Sequence, residues 1–129
     1  MTSLFTTIVL TFAVCTSYAQ TQGEMNKEAA NAFRKADKEL NDIYQKILVE
    51  YKSDTVFVKN LKQAQRFWIQ FRDAELAMKY PEREKGYYGS VHPMCVAMYL
   101  TQLTEERIKI LRIWLDGIEE GDVCCGSVK

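Results

Sequence analysis

Gln63-Ala64-Gln65-Arg66-Phe67-Trp68-Ile69-Gln70-Phe71-Arg72-Asp73-Ala74-Glu75 is the stretch on which the fold turns. Leu61, Ala64, Trp68 and Phe71 recur at three- and four-residue spacing, the mark of a helical stripe facing a core. Gln65 and Arg72 lie beside that stripe, with Trp68 between them and one turn from Arg72. Burying an amide or a guanidinium costs several kcal/mol unless it is paired. The segment therefore predicts polar partners on neighbouring helices.

On the N-terminal side the same periodicity continues. Met25, Ala29, Ala32/Phe33, Ala36, Leu40, Ile43/Tyr44, Ile47/Leu48 and Tyr51 predict a first helix over about 24–51. Lys52-Ser53-Asp54 ends it, and Ser53 or Asp54 is placed to cap the second helix, which stops before Pro81. One long loop, 80–89, follows. Ser90 is the expected cap of a third helix that tolerates Pro93 in its first turn. Met94, Ala97/Met98, Thr101, Thr104, Ile108, Leu111, Leu115 and Ile118 hold a spacing near three and a half residues, the pattern of bundle packing. The reading is all-α: three long antiparallel helices in an up-down-up bundle.

The 129 residues suffice for one domain, and the 17 basic and 17 acidic residues balance. A neutral chain carries no electrostatic footprint for nucleic acid. Residues 1–19 read as a cleaved export signal: Leu4 to Tyr18 is uncharged, and Ser17-Tyr18-Ala19 places small residues where a signal peptidase inspects them. The run is shorter than the ~20 residues a spanning helix needs, so no membrane span is expected. The domain is then 20–129, periplasmic or secreted. Lipid anchoring through Cys15 is the minor alternative, since Phe12-Ala13-Val14 fits a lipidation site poorly.

With the helices placed, a family emerges from four blocks in order: Asp37-Lys38-Glu39-Leu40-Asn41-Asp42-Ile43-Tyr44, Ala64 to Glu75, Gly89-Ser90, and Leu103-Thr104-Glu105-Glu106-Arg107. The chain resembles the lysozyme-inhibitor LprI N-terminal-like family of small exported bacterial proteins, over roughly residues 24–115. The resemblance implies a helical envelope domain and, more loosely, inhibition of lysozyme. It also implies three cysteines that this chain lacks, at the positions of Glu28, Leu76 and Tyr99. In the family the resemblance implies, the second and third would bridge the loop, a constraint worth on the order of 3 kcal/mol. Leu76 and Tyr99 are expected to replace it by apolar contact.

Cys95, Cys124 and Cys125 remain in the predicted mature chain. A straight third helix from Cys95 to Glu119 spans about 36 Å, whereas five tail residues return at most about 17 Å. Cys95 is thus out of reach of the tail pair unless the helix ends early. Cys124 and Cys125 are left for a vicinal bridge, free thiols or a disulfide-linked dimer. His92 and Cys95, one turn apart, supply only two metal ligands with no third evident, so neither a metal nor another cofactor is expected.

Asp37, Asn41 and Tyr44 on the first helix, Gln65, Trp68, Arg72 and Glu75 on the second, and Thr104 and Arg107 on the third are read as an interhelical polar network. The packing would bring Asp37 or Glu75 to Arg72 or Arg107; the network's principal role is to fix register, and the alternative is that part of it lines a groove for a peptide, glycan or protein partner. Catalysis is not expected. A slim bundle makes a poor cleft for paired carboxylates, and the single histidine lies at the start of the third helix. The loop admits two readings: Tyr87 and Tyr88 fold down on the helix ends, or the loop is the contact surface, with Tyr80, Tyr87 and Tyr88 for apolar contact and Glu82 and Glu84, offset by Arg83 and Lys85, for a cationic protein such as lysozyme. The competing role is a structural or stress-related envelope protein without lysozyme inhibition.

Overall fold

A computed structural model describes the backbone of residues 3–129 and the side chains of residues 21–129. The predicted export signal and Cys15 thus have side chains outside the described residues. Three helices account for the architecture: α1 (Ser3–Glu50), α2 (Thr55–Lys79) and α3 (His92–Asp116). No strand occurs among the described residues. The all-α expectation holds.

The local signals place the boundaries with two adjustments. Asp54 caps α2, its carboxylate accepting from the Phe57 amide at 2.9 Å, and Gly117 ends α3 with φ 78°, a conformation that favours glycine. Ser90, however, does not cap α3. That helix starts at His92 after Val91 without a side-chain cap, and the Ser90 carbonyl instead accepts from Asn26 Nδ2 on α1 at 3.1 Å. The third helix also ends at Asp116, before Ile118.

The core is a seam between α1 and α3, which pack along each other, whereas α2 touches α3 more sparsely. Ala36, Leu40, Ile43 and Ile47 from α1 and Tyr51 just beyond its end meet Ala97, Ile108 and Leu111 from α3, all buried. Full burial of each large aliphatic side chain contributes roughly 1.5–3 kcal/mol, so this seam is the main source of stability. At its lower end Tyr51 is fully buried. Its hydroxyl donates to the Trp114 carbonyl at 3.0 Å and accepts from the Lys129 amide at 3.1 Å. Phe57 stacks against Tyr51 at 4.5 Å, bringing α2 into the same cluster.

Pairings along the helices fix their directions. Residue 65 meets 107 and 75 meets 99, while Phe57 meets Tyr51 at the end of α1 and Arg72 faces Asp37. Sequence numbers rise on one helix as they fall on the other, so α2 runs antiparallel to both neighbours, as the up-down-up reading requires.

α2 departs from the expected stripe. Leu61 and Gln65 are its buried residues, with Trp68, Arg72, Glu75 and Leu76 half-buried beside them. Ala64 and Phe71, expected to face inward, are exposed, as are Ala74, Ala77 and Met78 further along the helix. The inward face is rotated by roughly 50° from the apolar pattern, at ~100° per residue. Gln65 and Arg72 face the bundle because partners wait there, and Phe71 is turned outward as a consequence.

Candidate binding site

The loop and its flanking helix ends form the first part of the site. Gly86 and Gly89 adopt φ 86° and 74°, where a side chain would be strained, and they let the chain double back after Pro81. The Tyr88 hydroxyl donates to the Pro81 carbonyl at 2.7 Å. The Tyr88 ring stacks on His92 at 4.6 Å and meets the edges of Tyr80 at 5.6 Å and Tyr87 at 4.9 Å. Tyr80 also packs on His92 at 5.1 Å. Burial pushes the Tyr80 phenol above its usual range, with the Cys95 thiol and Tyr88 adding to the effect.

Two of the three loop tyrosines are therefore packed. Tyr80 and Tyr88 fold down onto the start of α3, while Tyr87 remains 62% exposed. Glu82 and Glu84 are exposed too. Arg83 is directed at the Tyr87 ring, 5.9 Å from its centroid, and no ion pair joins the loop's carboxylates to Arg83 or Lys85 among the described residues. His92 is thereby occupied by aromatic packing, and its Nδ1 is buried without a hydrogen-bond partner. No cluster of metal-ligating side chains occurs among the described residues.

The predicted polar network is present in three separate pieces. The Arg72 Nη2 and Nε contact Asp73 Oδ1 at 2.9 and 3.0 Å, Nη1 approaches Asp37 Oδ1 at 3.8 Å, and the guanidinium lies 5.4 Å from the Trp68 ring. Asn41 extends this piece by donating to Asp37 at 3.5 Å. In the second, Arg107 Nε donates to Gln65 Oε1 at 3.1 Å. Burial draws the Arg107 guanidinium below its usual range. In the third, the Tyr99 hydroxyl donates to Glu75 Oε2 at 3.1 Å, and Lys79 sits 3.9 Å over the Tyr99 ring.

Thr104, fully buried, joins none of them: its hydroxyl has no partner. Tyr44 packs against the hydrophobic core instead of entering the network. Tyr99 was legible only as a position where a cysteine was expected. Its attachment to α2 is a hydrogen bond to Glu75 and a cation–π contact with Lys79, more polar than the apolar substitute anticipated. Asp73 was signalled by its adjacency to Arg72. The contact between Trp114 and the tail, Nε1 to Ser127 Oγ at 3.0 Å, had no sequence signal, because tail residues carry no periodicity. Cys95, Cys124 and Cys125 are all free, the last two exposed.

These features describe a small helical domain built on an apolar α1–α3 seam, with α2 attached by interhelical polar pairs and a folded loop at one end. The chain belongs to the lysozyme inhibitor LprI family, which it matches over residues 15–111. It is similar to an uncharacterized protein of Rhizobium meliloti (strain 1021), 30% identical over 112 residues and covering 78% of each chain. No solved structure matches it. The family is described by inhibition of an enzyme, a binding activity with a protein partner. No helix among the described residues is long and apolar enough to cross a membrane.

Proposed function

We propose that this protein is exported after removal of residues 1–19 and acts in the envelope as a lysozyme inhibitor, making contact through the 80–89 loop. The observation that carries the activity is the family match over residues 15–111. The choice of surface rests on the loop's construction. Its aromatic cluster fixes the backbone in advance, which lowers the ordering cost of binding, and it leaves Tyr87, Glu82 and Glu84 outward. An exposed tyrosine beside unpaired carboxylates suits an arginine-rich, cationic partner. The exposed Phe71 and Met78 on the last turns of α2 extend the same end of the molecule with apolar surface.

The test is residual cell-wall hydrolysis by a c-type and a g-type lysozyme, titrated with the purified protein. Stoichiometric inhibition is expected, with Tyr87→Ala weakening it at least tenfold and leaving the melting temperature unchanged. Inhibition that survives replacement of residues 82–88 by Gly and Ser would move the contact off the loop. No inhibition at large molar excess would favour an architectural envelope role. The exposed Cys124 and Cys125 offer a route to a disulfide-linked dimer, which non-reducing electrophoresis of the exported protein would reveal.

A further inference from the structure

At the end of the bundle remote from the loop, α2 and α3 leave a groove of about 430 Å³ between them, within the range of roughly 300–1,000 Å³ typical of small-molecule sites. It exists because α2 is held to α3 by a few polar pairs and by Phe57, with no continuous apolar seam to close the gap. Its floor is apolar: Phe57, Leu61, Leu111 and Trp114. Ser127, bonded to the Trp114 indole, lies at one end with Asp54, and Arg107 lies toward the other.

Arg107 is the informative residue. Its guanidinium has five N–H donors, and the hydrogen bond from Nε to Gln65 uses one. Among the described residues no carboxylate forms an ion pair with it, in contrast to Arg72, which has Asp37 and Asp73. A half-buried arginine at the end of an apolar channel, with its outer donors free, is arranged to receive an anion in a planar two-point contact.

We propose that this groove binds a medium-chain alkyl carboxylate, its chain lying over Phe57, Leu61, Leu111 and Trp114 and its carboxylate on the Arg107 guanidinium. One planar fork matches a singly charged carboxylate. A phosphate carries up to two charges, and Arg107 is the only cation lining the described groove, which also holds Asp54. The run from Asp54 to Gln65 is about 16 Å along α2, which favours an extended chain. This site is independent of the lysozyme reading, since it lies on a different part of the molecule from the loop.

The test follows tryptophan emission while the purified protein is titrated with dodecanoate below its micellar concentration, beside dodecan-1-ol and a peptide ending in apolar residues. Trp114, on the groove floor, is the reporter. Saturable binding of dodecanoate is expected, at least tenfold tighter than dodecanol. Arg107→Gln should remove that tenfold preference and leave dodecanol binding unchanged. Ala64→Phe, an exposed position on the groove wall, should abolish binding of both while circular dichroism and melting stay the same. It also provides the decisive comparison if Arg107→Gln fails to fold. Equal affinity for acid and alcohol, dodecanoate binding that survives Ala64→Phe, peptide binding without dodecanoate binding, or no saturable change would each overturn the proposal.

Discussion

The α1–α3 seam and the inward face of α2 both attach a helix to the bundle, and they do so with opposite chemistry. Along the seam, aliphatic side chains at three- and four-residue spacing close on one another and exclude water. Along α2, Gln65, Arg72 and Glu75 face inward to Arg107, Asp37 and Tyr99, while Val56, Phe67, Phe71 and Met78 are each 56–69% exposed. Apolar seams are non-directional and strong, whereas polar pairs are directional and contribute a modest net free energy. The seam should therefore carry stability, and the α2 face should carry orientation. The outward apolar residues of α2 are then surface available to a partner.

The sharpest way to break this comparison is to cut both faces and compare the losses. Ile47→Ala and Leu111→Ala, at fully or almost fully buried seam positions, should each cost about 3 kcal/mol in urea unfolding. Phe71→Ala, which removes a larger side chain, should change stability by less than about 0.5 kcal/mol. A Phe71 loss as large as the Ile47 loss would restore the apolar stripe as the buried face and refute the rotated orientation of α2.

That contrast also explains what could be read from the sequence. The α1 and α3 stripes were legible because hydrophobicity alone orients those helices: Leu40, Ile43, Ile47, Ile108 and Leu111 are where their spacing puts them. On α2 two stripes overlap, one through Leu61, Ala64, Trp68 and Phe71, the other through Leu61, Gln65, Trp68 and Arg72. Hydrophobicity favours the first. The second is observed because Arg107 and Asp37 compensate the buried polar groups, and those residues are distant in the chain. The sequence offered Asp37 or Glu75 for Arg72 or Arg107, of which Asp37–Arg72 is present, yet it named no partner for Gln65, and it joined into one network what the structure separates into three. The loop tyrosines were equally ambiguous, because composition does not say which ring packs and which projects.

A second cut, at smaller cost, sharpens the role of the polar face. Gln65→Leu removes the one side-chain hydrogen bond of Arg107 within the described residues and should destabilise by roughly 1–2 kcal/mol. Adding Arg107→Met, which removes the cation left behind, should recover most of that loss, because replacing both partners by apolar groups is nearly neutral. Urea midpoints of the two single variants and the double variant measure the coupling. Strict additivity would mean that Gln65 and Arg107 do not act as a pair.

The smallest effect concerns Tyr99, the tether between α3 and the upper part of α2. Burial raises its phenol above the ordinary value of 10.0, with the hydrogen bond to Glu75 and the negative charges of Glu75 and Glu106 acting in the same direction. A raised folded value means that the neutral phenol is favoured in the native state. Its stabilising contribution is therefore complete below pH 10 and is lost as pH rises through the folded value. Tyr80 is shifted the same way. Thermal melts at pH 8 and pH 11 should show a decrease that is smaller in Tyr99→Phe than in the native protein. An undiminished alkaline decrease in Tyr99→Phe would mean that the phenol's contact with Glu75 contributes nothing, leaving the upper half of α2 held by Arg72 and the loop alone.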